Sequence, residues 1–327
     1  MASRRSAPAS YRAAQLQARR LENALLRDVV AQVQRAVRKT AERIANLLAR
    51  LPDSTPAARV AALQQSVAVA RRLEAQLRAE LERAIASGRA ASFDRILGAW
   101  QDASARAAAA VGIPNAALGA VLVPRATMLA AFERVGGARL FRTLTEAAAR
   151  DGFARVNDVI RRAIAEGQSF DKLAKDMRAF VRGAEGGDVA SAFRTARYNA
   201  TRIGYSEIHN ARQEAEVGHF SADPLVRAVG WRLAPDRGTL RQPDICDALA
   251  SNDFYGLGAG VYPVDAVPPT PHPFDRCELV PIVRPVSQMN RPKPRPPLSV
   301  PAELQGVGGI GAAGRARLAR DLSQLLR

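Results

Sequence analysis

Leu21, Leu25, Val29, Val33, Val37, Ile44 and Leu48 recur at steps of four and seven along the first part of the chain. That period puts them on one stripe of an α-helix with arginines on its flanks. Pro52 and Pro56 stop the run, and Asp53, Ser54 and Thr55 between them offer caps for a following helix. The stripe resumes as Val60, Leu63, Val67, Leu73, Leu77, Leu81 and Ile85, and Ser87-Gly88 predicts its end. Two long helices joined by a short turn predict an antiparallel hairpin over residues 1–90. Shorter helices are expected at 92–111, 125–150, 151–166, 169–182 and 188–219. Asp151-Gly152, Gly167-Gln168-Ser169 and the stretch from Gly183 to Gly187 supply the breaks, and Ser169 is placed to cap the helix it precedes.

From Pro224 the pattern changes. Two short apolar pieces, Ala228 to Leu233 and Cys277 to Val283, bracket a long stretch rich in Pro, Gly and Asp. They predict short strands around an irregular loop, and a loop of that length calls for a function or an internal clamp. Residues 284–301 are a basic, proline-rich linker. The expected fold is therefore mainly α: an elongated helical N-terminal domain, hairpin plus bundle, with a small irregular α+β module on its carboxy side. In chain order this gives a basic hairpin (1–90), a helical domain (91–223), the small module (224–283), the linker (284–301) and a basic glycine-rich tail helix (302–327).

Composition sharpens this picture. Hydrophobic residues make up 47% of the chain but aromatics only 5%, so the helices pack through thin cores of Ala and Leu. The net charge of +17 is concentrated at the ends: residues 1–50 carry eleven Arg/Lys against three acids, and residues 284–327 carry eight against two. Basic ends around a nearly neutral body suit double-stranded DNA, with Arg4, Arg5, Arg12, Arg19, Arg20, Arg315, Arg317 and Arg320 as candidate phosphate contacts. The plainer source of the same charge is a genome that writes Arg wherever a helix face is solvated. Cys246 and Cys277 are the only cysteines, which excludes a disulfide framework. No apolar signal region is expected at the N-terminus. Ala107 to Pro124 is uncharged but too short and too interrupted to span a bilayer, so no membrane partner is expected.

The residues from Ala200 to Pro281 resemble a known pattern. Ala200-Thr201-Arg202-Ile203, then Ser206-Glu207-Ile208 and Asn210, are similar to the "ARTE…N" helix of the Mu F-like phage head-morphogenesis family. Trp231 follows where that family has a Trp before a loop. Asp244, Cys246, Asp247 and Leu249 resemble its "D…C…L" stretch, and Val261-Tyr262-Pro263 follows. Pro268-Pro269, Pro271-His272-Pro273 and Arg276-Cys277 with Leu279 and Pro281 resemble its closing signature. Asp275 stands where family members often have a further cysteine. The resemblance implies a minor capsid protein, made in the host cytoplasm, that enters the procapsid, associates with the portal protein and the capsid or scaffold, touches packaged DNA and catalyses no reaction.

Several groups invite chemistry. Cys246, His272 and Cys277, completed by Asp244, Asp247 or Asp275, would make a zinc set that clamps the loop, although no CxxC is present. The alternatives are packed loop residues, or a Cys246–Cys277 disulfide formed after release from the cytosol. Arg202 and Glu207 are read as an ion pair that fixes their helix against the Trp231 loop. An acid–base role for Glu207 with His209 or His219 lacks an orienting group. Trp231 is read as a core anchor. Arg276, with Arg202, Glu207, Trp231 and Asp244, completes the structural motif. In the tail, Gly306 to Gly311 ahead of Arg315 and Arg317 is either a phosphate-binding turn or a hinge before a short basic helix. An effector or toxin-type enzyme related to phage head domains, and a stand-alone nucleic-acid-binding protein, are the other functions in view. No paired-carboxylate, nucleotide-loop or Ser/His/Asp motif favours the enzyme, and the nucleic-acid-binding reading leaves the 231–281 pattern unexplained.

Overall fold

The computed structural model describes residues 9–51, 56–110, 112–113, 123–128, 168–182, 188–234, 244–268, 276–285 and 292–294, together with 154–155, 158–159, 161–162, 166 and 288. The helices are α1 (Ala9–Leu48), α2 (Pro56–Ala110), α3 (Phe170–Val181) and α4 (Asp188–Ala222). β1 (Val226–Arg232), α5 (Ile245–Ser251), β2 (Val261–Tyr262), a 3-10 turn (Val264–Ala266) and β3 (Glu278–Val283) follow. The chain is mainly helical, with two long N-terminal helices packed together and a small three-stranded antiparallel sheet towards the C-terminal end.

By packing, the chain divides into two compact units, one drawn from residues 1–25, 88–138 and 206–327, the other from 26–87 and 139–205. The division does not follow order along the chain, and its boundaries fall inside α1, α2 and α4.

In the second unit, α1 and α2 run antiparallel. Lys39 Nζ reaches Glu80 at 3.5 Å and Arg43 Nη1 donates to Gln76 Oε1 at 2.6 Å, so four residues forward on one helix match four residues back on the other. Between them lie the expected apolar positions, Val29, Val33, Val37, Ile44 and Leu48 on α1 with Leu73, Leu77, Leu81 and Ile85 on α2, all buried. Helix α3 buries Phe170, Leu173, Ala174 and Met177, an i, i+3, i+4, i+7 stripe. Ser169 caps it by accepting from the Lys172 N–H at 3.2 Å.

One expected boundary is absent. α2 does not end at Ser87-Gly88 but continues through the buried Gly88 to Ala110, absorbing the helix expected at 92–111. A glycine in a helix interior costs only about 1 kcal/mol relative to alanine. Just beyond it, Phe93, Ile96, Leu97 and Trp100 are all completely buried, and their packing outweighs that cost. The helices expected at 125–150 and 151–166 lie largely, and the tail at 302–327 entirely, outside the described residues.

In the first unit, the sheet has the order β2-β1-β3, with Val229 opposite Tyr262 and Trp231 opposite Leu279. Pro281 sits on the edge strand β3, where a missing N–H costs no central ladder bond. α5 is only 7 residues long and is held by a capping box: Cys246 N–H donates to Asp244 Oδ1 at 2.9 Å, and Asp244 N–H donates to Asp247 Oδ2 at 2.8 Å. The turn into β2 closes at Gly260, whose N–H donates to Asn252 O at 2.9 Å and whose carbonyl accepts from Trp231 N–H at 2.7 Å.

Gly260 has φ +66°, and a Cβ there would lie 2.6 Å from the Ala250 carbonyl oxygen; Gly256 has φ +67° and open space around it. Gly256→Ala is expected to lower unfolding free energy by about 1–2 kcal/mol, the conformational cost alone. Gly260→Ala adds an overpacking cost of about 1–3 kcal/mol to that. Urea denaturation of the two variants tests this, and equal losses would contradict the close approach.

Candidate functional site

The second half of α4 is the most unusual element. From Ser206 to Phe220 every residue is buried, yet Ser206, Glu207, His209, Asn210, Arg212, Gln213, Glu214, Glu216 and His219 are polar or charged. A buried charge is tolerated only with a partner. The partners come from α1, α2 and the segment after β3, in three groups.

The first group centres on Arg212. Its Nη1 meets Glu22 Oε2 at 2.6 Å and its Nε meets Glu216 Oε1 at 2.9 Å. His209 Nδ1 lies 2.6 Å from the other Glu22 oxygen, and Gln213 Nε2 lies 3.1 Å from His209 Nε2. That set fits the Nδ1–H tautomer, with the ring donating to Glu22 and accepting from Gln213. Burial pushes the Glu22 carboxyl up, but Arg212 and His209 outweigh it and hold the group at about 2. For Glu216, burial wins over Arg212 and the group is raised.

In the second group a single arginine serves two carboxylates. Arg89 Nε is 3.4 Å from Glu207 and its Nη2 is 3.1 Å from Glu214. Burial raises Glu207 to about 7; Arg89 opposes this, and the neighbouring Glu214 reinforces it. Glu207 thus has its ion pair with Arg89 on α2, whereas the sequence suggested Arg202, which is exposed on α4.

The third group closes the end of α4. Asp223 Oδ2 accepts from the Tyr11 hydroxyl at 2.6 Å and from the Ser104 hydroxyl, while its Oδ1 accepts from Leu225 N–H at 2.9 Å and turns the chain into β1. Burial would raise Asp223, but bonds from His219, Ser104 and Tyr11 hold it at about 2. Lys293 Nζ donates to the carbonyls of Phe220 and Ser221 at 2.6 and 2.7 Å, capping the last turn of α4 from 72 residues further on. Burial lowers this ammonium to about 8.

Ser104, His219 and Asp223 are the three residue types of a hydrolytic triad, but the geometry differs. In a triad the acid holds one imidazole nitrogen and the serine the other. Here His219 Nε2 faces both Ser104 Oγ, at 2.8 Å, and Asp223 Oδ2, at 3.5 Å. All three side chains are buried, with Trp100 and Phe220 packed beside them. The group clamps α1, α2 and α4 together and leaves the serine facing no solvent.

Of the other residues singled out from the sequence, Trp231, Cys246 and Cys277 fall into one buried cluster with Leu249, Tyr262 and Leu279. Tyr262 adds a hydroxyl bond to Leu249 O at 2.7 Å. Cys246 and Cys277 are thiols, Asp244 uses its carboxylate as the α5 cap, and Arg276 is exposed. His272 and Asp275 lie outside the described residues, among which no group of three His, Cys, Asp or Glu could hold a metal. Arg12 and Arg20 are exposed on α1, whereas Arg19 pairs with the buried Glu278 of β3, which also accepts from Gln15 at 3.1 Å. Arg4, Arg5, Arg315, Arg317 and Arg320 lie outside the described residues. Among those residues no helix is long and apolar enough to cross a membrane.

Sequence reading missed Glu22, Arg89, Arg212, Glu214, Glu216 and Asp223. The available signal was the run from Ser206 to His219, which has almost no large apolar residue and no stripe. Such a helix is either solvated all round or buried among charged partners. No family model, no curated protein and no solved structure matches the chain.

Two measurements check these assignments. Arg212→Met strands two buried carboxylates and should cost about 3–5 kcal/mol, while the triple change Glu22→Leu/Arg212→Met/Glu216→Leu should lose far less; urea midpoints decide, and equal losses would contradict a mutually neutralised cluster. The second concerns pH. Glu22 and Asp223, held at about 2, contribute stability that is present above their ordinary values of 4.5 and 3.8 and fades as pH falls towards 2. Glu207, raised from 4.5 to about 7, acts oppositely, because the folded chain keeps a proton that the unfolded chain releases, and stability falls as pH rises across that window. Glu207→Gln should remove that decline and spare the acid limb. Parallel stability curves for wild type and variant between those two values would refute the assignment.

Proposed function

We propose that this chain is a minor head protein of a phage, a head-morphogenesis component that docks on the portal inside the procapsid, contacts packaged DNA and has no catalytic activity. The observation that carries the reading is where the family-like residues fall. Trp231, Cys246, Leu249, Tyr262, Cys277 and Leu279, scattered through an irregular sequence, all belong to one buried cluster. That cluster is continuous with Tyr11, Trp100 and Phe220 of the helices, so these positions build the core of the first unit rather than line a cleft, which suits a part that assembles against other proteins. The charge of +17 supports the nucleic-acid part, as do Arg12 and Arg20 exposed on α1. The triad-like residue types of the Ser104 group favour an enzyme at first sight, but the shared imidazole nitrogen and the burial of all three weigh against it.

The test is co-expression with a portal protein of the same phage, followed by capture on the tagged portal and analysis of purified particles. The full chain should co-purify with the portal and be present in particles. Retention on DNA should fall with salt. Arg12→Gln/Arg20→Gln should make the plot of log affinity against log salt shallower by about 0.9 for each phosphate no longer neutralised. Particles that lack the chain, or turnover of a substrate by the purified protein, would end the reading.

A further inference from the structure

In the unit built from residues 26–87 and 139–205, the first half of α4 carries a basic row distinct from the buried groups further along the helix. On the first half of α4, Arg194, Tyr198 and Arg202 follow one another at four-residue steps and so stand in one row, with Arg197 one edge away. Tyr198 is 57% exposed, one of only two large hydrophobic side chains so exposed among the described residues, and Arg202 is exposed as well. The opposite side of the same stretch is the packed one: Ala200, Ile203 and Gly204 are buried, and Gly204 sits so close to Val29 that an added Cβ would be 3.1 Å from its side chain. The row is therefore the outward face of a helix anchored from behind.

This stretch of helix is strongly basic. From Val189 through Ser206 the sequence holds three arginines and no acidic residue. The exposed arginines Arg27, Arg35 and Arg38 of the same unit lie on α1, outside this row. A purely apolar occupant of the α4 row would strip water from its guanidinium groups and offer no charge in return, so the occupant must bring negative charge. Four residues of helix advance about 6 Å, so the row offers cations at a regular spacing on a rigid support. Duplex DNA offers a regular row of anions in return, one phosphate per about 3.4 Å of axis on each strand. A tyrosine hydroxyl between two arginines is itself a group that bonds phosphate oxygens.

We propose that this face of α4 seats the phosphate backbone of duplex DNA, with Arg194, Arg197 and Arg202 against phosphates and the Tyr198 hydroxyl donating to one between them. The proposal rests on the DNA-contact part of the function above, not on its portal part, and it places a DNA contact on the helical body, away from the basic ends.

The test is fluorescence anisotropy of the full chain with a short random-sequence duplex and with a single strand of the same length, over a series of salt concentrations. Arg194→Gln/Arg197→Gln/Arg202→Gln is compared with Arg27→Gln/Arg35→Gln/Arg38→Gln, which removes the same charge from α1. Helicity and melting temperature check that both variants are folded. The α4 variant should lower the salt slope by about two to three, and the α1 control by less than about one. Tyr198→Phe should weaken duplex binding nearly as much as Tyr198→Ala. If both triple variants lose affinity equally, only net charge matters and the α4 face is not a site, although the DNA-contact reading survives. If the wild-type chain binds no duplex, both fail together. If the single strand binds more tightly, with Tyr198→Phe silent and Tyr198→Ala costly, the tyrosine stacks on bases and the duplex assignment is overturned.

Discussion

The structure of the first unit turns on desolvation. Once the second half of α4 is surrounded, each of its charged side chains must find an opposite charge or a donor within reach, because an ion buried without one is far costlier than an unfilled apolar gap. Arg212 between Glu22 and Glu216, Arg89 between Glu207 and Glu214, and Asp223 among Tyr11, Ser104 and His219 are three solutions to that one requirement. Each solution draws its partners from α1 or α2, so the same constraint that keeps α4 from collapsing also fixes which helices lie against it and in what register. An apolar helix could slide by a turn at modest cost. This one cannot, since a slip would strand several charges at once.

That requirement also explains a helical core with so few aromatics. Tyr11, Trp100 and Phe220 gather around the Asp223 end of α4, where Trp100 meets Phe220 edge-on at 4.7 Å. There the apolar packing is dense enough to exclude water from the polar group beside it. Elsewhere the buried apolar positions include small ones, alanines such as Ala14, Ala18, Ala211 and Ala215, alongside the buried ion pairs.

How much of this could be read from the sequence depended on the range of the cause. The α1 stripe, the Ser169 cap and the extent of α4 within a few residues are local, written in periodicity and capping chemistry, and they were legible. The strands around Trp231 and Leu279 were legible too, because β-rich apolar pieces in a Pro- and Gly-rich stretch have few other uses. Gly88 misled because a local breaker was overruled by packing contributed from other helices. The site was hidden for the same reason. Tyr11 and Asp223 meet across 212 positions, and nothing in either neighbourhood names the other. The pairing of Glu207 illustrates the limit: periodicity offered Arg202 on the same helix, while the fold supplied Arg89 from another.

The lysine at the far end of the sheet segment has a topological consequence. Because Lys293 grips the last carbonyls of α4, the chain that leaves the helix at Asp223, forms the three strands and passes Arg284 is tied again where it began. The strands therefore belong to a closed ring stitched to a helix terminus, rather than a pendant hung from one point. A ring of this kind resists hinging as a body, and pulling on the polypeptide beyond Lys293 would load the helix end directly before any strand begins to peel.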